Sequence, residues 1–427
     1  PKSDGNVPGI TDYVKLVVTG GTPYVEDVFA KPSLTDKQLG LEVTLENPEK
    51  SDVTVGIRTS VVPWDREDAW KTAPPEKTFP EQTITAIAGQ RTSADFSFAW
   101  ENPTLWWPDD PNLYMLKTEV LRDGNVVDTQ WTRFGFREWG WEDGVLFTVN
   151  GKPWQFWNDL NKTQLKTPQT LVETMDESGR NSKRFWGKMQ RGWGGMTKRE
   201  ILDYFDENGV VVRDTGAFDG QVFNYARGLT ANNDGSKGYN KRLFQNILDQ
   251  QQAWVRGYRN HAAIMIWTME NEVAFVSAAN AGQMDEYSPA IRYVGGKLME
   301  LDPTRAVMID GANALTDPER WKGDGPWVEP AREMGYLPVN GGHYTEDGYG
   351  VTASDFPDSF YTAEHWYERF DERTQTSMVR NQPIHHGEIF YGRGWSVDKL
   401  AEIGGEIVYR SDADTYPVRS LIARMMN

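Results

Sequence analysis

Two glutamates directly follow strongly apolar stretches of sequence, where carboxylates often do chemistry. Residues 264–267 (Ile-Met-Ile-Trp) lead into Thr-Met-Glu-Asn-Glu, which ends at Glu272, and residues 384–387 lead into Glu388. A charge at the end of an apolar strand is costly unless a site uses it. Two carboxylates that flank a glycosidic bond can cleave it, with about 5 to 5.5 Å between them for retention and about 6.5 to 9.5 Å for inversion. The alternative is that each glutamate simply pairs with an arginine at a domain rim.

Four further polar residues compete for a role at these strand ends. Glu270 has the same strand parity as Glu272 and is the weaker candidate for an acid. Asp214 follows another short apolar run and either positions a substrate or pairs with a basic rim residue. His385 and His386 are adjacent, so on a strand they point to opposite faces and do not chelate one metal ion. We therefore predict no metal site and no cofactor, and His386 either contacts substrate or is a structural rim residue.

The composition narrows the class of protein and of partner. The chain has 427 residues, a formal net charge of −17 and a pI near 4.9, which disfavour nucleic acid and anionic membranes as partners. No apolar run approaches the roughly 18 residues that a membrane span needs. Aromatic residues make up 12% of the chain, including 18 tryptophans, and they suit either sugar stacking or a β-rich core. Zero cysteines exclude disulfides, thiolate metal sites and a cysteine nucleophile.

Between residues 21 and 138 apolar and polar residues alternate, which is typical of half-buried antiparallel strands. Residues 39–45 and 53–57 show this alternation. Residues 113–121 and 126–136 are joined by Arg-Asp-Gly-Asn, whose Asp-Gly pair favours a tight hairpin. Several short strands in this length predict an immunoglobulin-like β-sandwich without catalytic residues.

From residue 139 strand-like runs alternate with helical ones, which indicates a parallel sheet built from βα units. Helices are predicted over 197–208, 239–259 and 289–301, with Thr197 and Glu200 at capping-box spacing. Seven runs are interpreted as parallel strands, at residues 154–157, 182–186, 210–212, 262–267, 306–309, 336–339 and 383–386. The prediction is a multi-domain β plus α/β protein, with a (β/α)8 TIM barrel over 139–427 that lacks its last βα unit in this chain.

Four segments resemble characteristic segments of glycoside hydrolase family 2, the group of β-galactosidases, β-glucuronidases and β-mannosidases. They are Gly9-Ile10 with YVEDVF at 24–29, LWWPDDPNLY at 105–114, RFGFR at 133–137 and FTVNGKP at 147–153. They occur in the order that the family has, and the resemblance covers nearly the whole chain. It implies a sandwich followed by a catalytic barrel.

The resemblance also implies roles for the strand-end residues. Residues 267–272, WTMENE, are similar to the family's WxxxNE block, which implies that Glu272 is the acid/base and that Asn271 holds the sugar 2-hydroxyl. Glu388 lies where the family has its nucleophile. Arg184 occupies the position of the second-strand arginine, whose charge would keep Glu388 ionised. A like charge and aromatic walls would raise the pKa of Glu272 toward that of a usable acid.

Further substrate contacts are expected in loops that follow the strands. Tyr344 lies after the sixth strand, where related barrels have a tyrosine near the nucleophile. Two of five loop tryptophans are expected to form a sugar platform, and our choice is Trp186 and Trp395. Asn158 is assigned a substrate contact, although its segment WNDLNKT departs from the family's GVNRH. Glu270 is another departure, since the family commonly has a small residue there.

The first residues of the chain suggest how it is processed and where it is located. Residue 1 is proline, so we expect a processed start whose targeting sequence is missing. Residues 1–20 are interpreted as the tail of an N-terminal sugar-binding domain or as a linker. A periplasmic or secreted bacterial location is favoured.

The sequence as a whole predicts a retaining, exo-acting β-glycosidase whose partner is an oligosaccharide or polysaccharide, and a homo-oligomer is left open. Two alternatives stay open: a non-catalytic carbohydrate-binding relative and an endo-acting polysaccharide hydrolase, which an open cleft would indicate. Specificity for the sugar and its linkage depends on loops whose conformation the sequence does not reveal.

Overall fold

The chain forms two compact units, of which one contains residues 1–102 and 114–134 and the other residues 103–113 and 135–427. This division differs from a single boundary after residue 138, because the loop 103–113 bonds within the second unit: the Trp106 Nε1 donates to the carbonyl of Asp206 at 2.7 Å. In a computed structural model of the protein, the described residues are 16, 18–142, 146–154, 158–159, 189–191, 197–216, 218, 240–271, 273, 278, 282–310, 318–323, 325–334, 340–343 and 384–388.

The first unit is a β-sandwich, as predicted. Its strands are β1 (Tyr24–Ser33), β2 (Gln38–Asn47), β3 (Val53–Pro63), β4 (Lys77–Thr78), β5 (Gln82–Ala86), β6 (Gln90–Ala99), β7 (Tyr114–Arg122) and β8 (Asn125–Phe134). One antiparallel sheet has the order β1-β2-β6, and the other has the order β4-β3-β7-β8 with β5 also paired to β3. The alternating residues Leu39, Leu41, Val43 and Leu45 of β2 are fully buried between the sheets, which is the burial pattern that period-two alternation predicts.

The predicted hairpin between β7 and β8 is confirmed. Arg122 pairs with Asn125 across a two-residue loop. Asp123 and Gly124 have φ angles of 51° and 76°. Two successive positive φ angles define the type I′ turn, whose twist matches that of the two strands.

The second unit contains the remaining strands and all four α-helices of the described residues. The strands are β9 (Trp139–Glu142), β10 (Leu146–Val149), β11 (Lys152–Pro153), β12 (Asn158–Asp159), β13 (Met189–Arg191), β14 (Val211–Thr215), β15 (Ile264–Asn271), β16 (Ala306–Asp310), β17 (Asn340–His343) and β18 (Ile384–Glu388). The helices are α1 (Arg199–Asn208), α2 (Lys241–Tyr258), α3 (Met284–Leu301) and α4 (Val328–Glu333). None of these helices is both long and apolar enough for a membrane crossing.

The parallel strands follow one another in chain order. β12 to β16 form a five-stranded parallel sheet, β17 and β18 form a parallel pair, and β17 lies against β16. β9, β10 and β11 form a small antiparallel sheet. Each predicted barrel strand has a counterpart in this order. The predicted runs at 182–186 and 336–339, and residues 155–157 of the first run, lie outside the described residues. The described strands at these places in the order are β12 at 158–159, β13 at 189–191 and β17 at 340–343.

Two helix starts differ from each other in how they are capped. Helix α1 begins at Arg199, and its N-cap residue Lys198 makes no side-chain cap. The predicted capping box at Thr197 is therefore wrong. Helix α2 begins after Asn240, whose Oδ1 accepts a hydrogen bond from the Leu243 backbone N–H at 3.0 Å, a regular N-cap.

Helix α3 begins five residues before Pro289, which corrects the prediction that this proline lies in the first turn. Proline has no N–H, so inside a helix it leaves the carbonyl four residues earlier without its usual donor. That carbonyl belongs to Asp285, and it accepts a hydrogen bond from the Lys322 N–H at 2.8 Å instead. A tertiary contact therefore lets the helix extend past the proline.

The backbone just before β15 is held by side chains from distant parts of the second unit. Arg137 Nε donates to the carbonyl of Ala262 at 3.1 Å, and Trp139 Nε1 donates to that of Ile264 at 2.9 Å. Arg305 donates to the carbonyls of His261 and Ile264 at 2.6 and 2.8 Å. These bonds satisfy buried carbonyl groups at the amino-terminal end of the sheet.

At the carboxyl end of β14, the buried carboxylate of Asp214 joins this strand to the chain that enters α1 and to α2. Asp214 accepts hydrogen bonds from the backbone N and Oγ1 of Thr197, at 3.0 and 2.6 Å, and from Trp254 Nε1 of α2, at 3.0 Å. Asp214 is fully buried. Burial raises the pKa of its carboxyl from 3.8 to about 6, although the hydrogen bonds from Thr197 and Trp254 act in the opposite direction.

We expect Asp214→Asn to change how the free energy of unfolding depends on pH. Because the native pKa of about 6 lies above the unfolded value of 3.8, the native state holds the proton more tightly. The stability that this carboxyl contributes is therefore complete below the unfolded pKa and is lost as the pH rises through the native pKa, a change of about 3 kcal/mol. Asparagine does not titrate, so the variant should gain stability relative to the wild type from about pH 4 to about pH 7.

Urea denaturation at a series of pH values measures this difference. Asp249→Asn, at an exposed position on α2, is the control for the loss of one negative charge. If the stability difference between Asp214→Asn and the wild type does not change with pH, the raised pKa is contradicted.

Candidate active site

Glu272 and Glu388 come at the carboxyl ends of parallel strands. β15 ends at Asn271, so Glu272 is the next residue, and β18 ends at Glu388 itself. In the register of the last pair, His343 is opposite Glu388. In a (β/α)8 barrel, catalytic side chains come from this end of the strands.

The other predicted site residues divide into those that the structure describes and those that it does not. Asn158, Asn271 and His386 have their backbone in β12, β15 and β18, respectively. Asp214 is described together with its side chain. The predicted site residues outside the described residues are Glu272, Arg184, Tyr344, Trp186 and Trp395.

Asp214 has a different role from the sugar contact considered for it. Its two oxygens accept three hydrogen bonds from Thr197 and Trp254, and the residue is fully buried. The carboxylate therefore fixes the chain that enters α1 against the end of β14. We do not include Asp214 among the proposed substrate contacts.

Three hydrogen bonds hold the carboxyl end of β15. The Gly216 N–H donates to the carbonyl of Thr268 at 2.8 Å. Gln251 Nε2 of α2 donates to the carbonyl of Met269 at 2.7 Å. The Glu270 Oε2 accepts a hydrogen bond from the Val273 N–H. The backbone is therefore tied on both sides of residue 272.

Arg191 is a candidate that the sequence analysis missed. The second strand of the sheet is β13, and Arg191 is its last residue, opposite Arg213 of β14. Loop length is the signal that could have revealed it. A strand ending at residue 191 leaves seven residues before α1, whereas one ending at 186 leaves twelve. Connections in βα units are commonly 2 to 6 residues, so the later strand end is nearer to the usual length.

One cluster of potential metal ligands occurs in the described part of the chain, at the amino-terminal end of the sheet. Asp203, Asp206 and His261 have ligand atoms within 4.8 Å of one another. Both carboxylate oxygens of Asp206 are already engaged, one by the Ala263 N–H at 2.8 Å and the other by His261 Nδ1 at 2.7 Å. We assign this cluster a structural role in joining α1 to the start of β15.

The chain matches only part of the length of its curated relatives. A protein of Formosa agariphila with a provisional beta-glucuronidase assignment is 26% identical over 291 residues, which cover 66% of this chain and 24% of the relative. A beta-galactosidase of Bacteroides ovatus is 23% identical over 252 residues, which cover 56% of this chain and 27% of the relative. The chain thus spans about a quarter of the length of these relatives.

A solved structure shares the fold at low sequence identity. The beta-galacturonidase of glycoside hydrolase family 2 from Eisenbergiella tayi, bound to galacturonate, has a TM-score of 0.61 and 16% identity, and the match covers 91% of this chain and 62% of that one. A family 2 member from Bacteroides cellulosilyticus has a TM-score of 0.58 and 19% identity, with coverage of 89% and 42%.

Two family models match the chain in succession. The model of glycosyl hydrolases family 2 matches residues 23–137, which include the sandwich, and the model of the TIM barrel domain of that family matches residues 196–321. The matches agree with the two architectures described above and with the motifs at residues 105–114 and 133–137. The chain belongs to glycoside hydrolase family 2.

Proposed function

We propose that this chain carries the sandwich and the catalytic barrel of a retaining β-glycosidase, with Glu388 as the nucleophile and Glu272 as the acid/base. The observation that carries the proposal is the position of both glutamates at the carboxyl ends of parallel strands, after β15 and at the end of β18. Membership of glycoside hydrolase family 2 supports it.

The proposed reaction has two steps. Glu388 attacks the anomeric carbon while Glu272 donates a proton to the departing oxygen, which forms a glycosyl-enzyme and releases the first product. Glu272 then removes a proton from water, and the water displaces Glu388 with a second inversion. The result is net retention, for which the two carboxyl groups must lie about 5 to 5.5 Å apart.

The proposed substrate is a β-linked oligosaccharide or polysaccharide, cleaved from its end. The names of the relatives suggest the terminal sugars to be tried first, which are glucuronate, galacturonate and galactose. Asn271 is proposed to bind the sugar 2-hydroxyl. Tyr344, His386 and Asn158 are proposed substrate contacts, and Trp186 and Trp395 a proposed stacking platform.

We expect the protein to hydrolyse an aryl β-glycoside of one of these sugars, and Glu388→Ala to lose detectable turnover. Azide should partly restore activity to Glu388→Ala and give a glycosyl azide of inverted configuration, because the small anion replaces the missing nucleophile. With Glu272→Ala, azide should give an azide of retained configuration, because it then attacks the glycosyl-enzyme in place of water. Product configuration by NMR measures both.

Glu300→Ala, at a solvent-exposed glutamate of α3, is the matched control and should keep wild-type turnover. If an oligosaccharide binds but no glycoside is cleaved, the proposal gives way to a carbohydrate-binding relative. Cleavage of internal bonds in a polymer, without release of terminal sugar, would instead favour an endo-acting hydrolase.

The position of β13 suggests that Arg191 fills the second-strand arginine role expected for Arg184. An arginine near the nucleophile favours its ionised form. We therefore expect Arg191→Ala to lower kcat/KM by about 100-fold and to move the acidic limb of the pH–rate profile to higher pH. Arg184→Ala should have a much smaller effect on both.

The two alanine variants serve as controls for each other, since each removes one arginine from the same part of the chain. Equal acidic limbs in Arg191→Ala and the wild type, together with a shifted limb in Arg184→Ala, would return the role to Arg184.

A further inference from the structure

A buried glutamate lies two residues before the proposed acid/base. Glu270 is fully buried near the end of β15. Its Oε2 accepts a hydrogen bond from the backbone N–H of Val273. Glu272 lies between Glu270 and Val273 in the sequence, so this bond joins chain positions on both sides of the proposed acid.

The regular strand pairing gives little support at this point. The register between β15 and β16 shifts between Thr268 and Asn271, so the sheet ladder is interrupted just where the chain must be placed accurately. Two side chains, one from α2 and one from β15 itself, bond to the backbone here instead. Gln251 of α2 holds the carbonyl of Met269, and Glu270 holds the N–H of Val273.

A tyrosine on α3 marks the surroundings of the Glu270 carboxylate. Tyr287 is fully buried, and its hydroxyl has no hydrogen-bond partner among the described residues. Burial, and after it the charge of Glu270, raises the pKa of Tyr287 well above its ordinary value of 10.

Burial also argues against a direct catalytic role for Glu270. A general acid must come within hydrogen-bond reach of the departing oxygen, whereas Glu270 has no exposed surface and one of its oxygens is bonded to the backbone. Its effect on the reaction would have to pass through another residue.

We propose that Glu270 is a positioning residue, which fixes the main chain around Glu272 by holding the N–H of Val273 and so sets the place of the acid/base carboxyl. This inference rests on the proposed function of Glu272. It predicts that loss of the Glu270–Val273 hydrogen bond weakens acid catalysis selectively.

The choice of leaving group separates a loss of acid catalysis from a general loss of activity through misfolding. Departure of a phenol from a phenyl glycoside needs the proton, whereas departure of dinitrophenolate from a dinitrophenyl glycoside does not. The ratio kcat/KM reports the step in which this group leaves. Glu272→Ala should therefore lose kcat/KM strongly on the phenyl glycoside and little on the dinitrophenyl glycoside.

Glu270→Met keeps the length of the side chain and removes the acceptor. We expect its kcat/KM to fall about 100-fold on the phenyl glycoside, the usual effect of a displacement near 1 Å, and by about threefold or less on the dinitrophenyl glycoside. Glu270→Gln keeps an oxygen for the Val273 N–H and should recover most of the loss. Gln251→Met, which removes the neighbouring hydrogen bond from α2, should show the same selectivity and keeps the test available if Glu270→Met does not fold.

Leu298→Ala is the control for simple loss of stability. Leu298 is buried on α3, eleven residues after Tyr287 and about 16 Å further along the helix. It should reduce kcat/KM equally, if at all, for the two substrates. An equal loss for both substrates in Glu270→Met and Gln251→Met would overturn the positioning role. If Glu272→Ala itself lacks the selectivity, the proposed acid/base fails, which is a distinguishable result.

Discussion

The start of strand β15 is the constraint on which the second unit depends. A strand buried on both faces of a parallel sheet has no water for the carbonyl groups at its entrance, and each of them needs a donor. Arg137, Trp139 and Arg305 supply these donors. Burial, and then the charge of Arg305, lowers the pKa of Arg137 well below its ordinary value, while Asp302 and Asp206 oppose this effect. The last arginine of RFGFR is therefore a buried donor for the barrel, which gives that motif a physical meaning.

The two ends of β15 thus use polar groups in different ways. At the amino-terminal end, Asp302 accepts hydrogen bonds from Arg305 at 2.6 Å and Trp267 at 2.8 Å, so buried charges are paired. At the carboxyl end, single hydrogen bonds from α2 and from Glu270 hold a chain that leaves the ladder. Barrels of this type keep stability at one end of the strands and chemistry at the other.

The sequence predicts those parts of the fold in which local pattern and burial agree. Leu39 to Leu45 alternate because β2 buries one face, and Asp123-Gly124 adopt the positive φ angles that their types favour.

The errors in the predicted helix starts have tertiary causes. Thr197 has the type of a cap, but Asp214 takes its hydroxyl, and α3 passes Pro289 because Lys322 bonds to the carbonyl of Asp285. Strand β13 contains only Met189, Gln190 and Arg191, so it has no apolar pattern to reveal it. For the site, strand ends identify candidate carboxylates. The partners of Asp214 are Thr197 and Trp254, which are 17 and 40 residues away along the chain and leave no trace in local spacing.

Glu270 shows how a departure from a family pattern can be accommodated. Where the family commonly has a small residue, this chain has a glutamate, and a buried carboxylate without hydrogen bonds would be strongly destabilising. Here it bonds to the Val273 N–H, next to a backbone that Gln251 already holds. Gly216 contributes space, because a Cβ at that position would lie 2.5 Å from Gln251 Nε2. A side chain at residue 216 would therefore displace the glutamine that holds the carbonyl of Met269, directly before Glu270 in the strand.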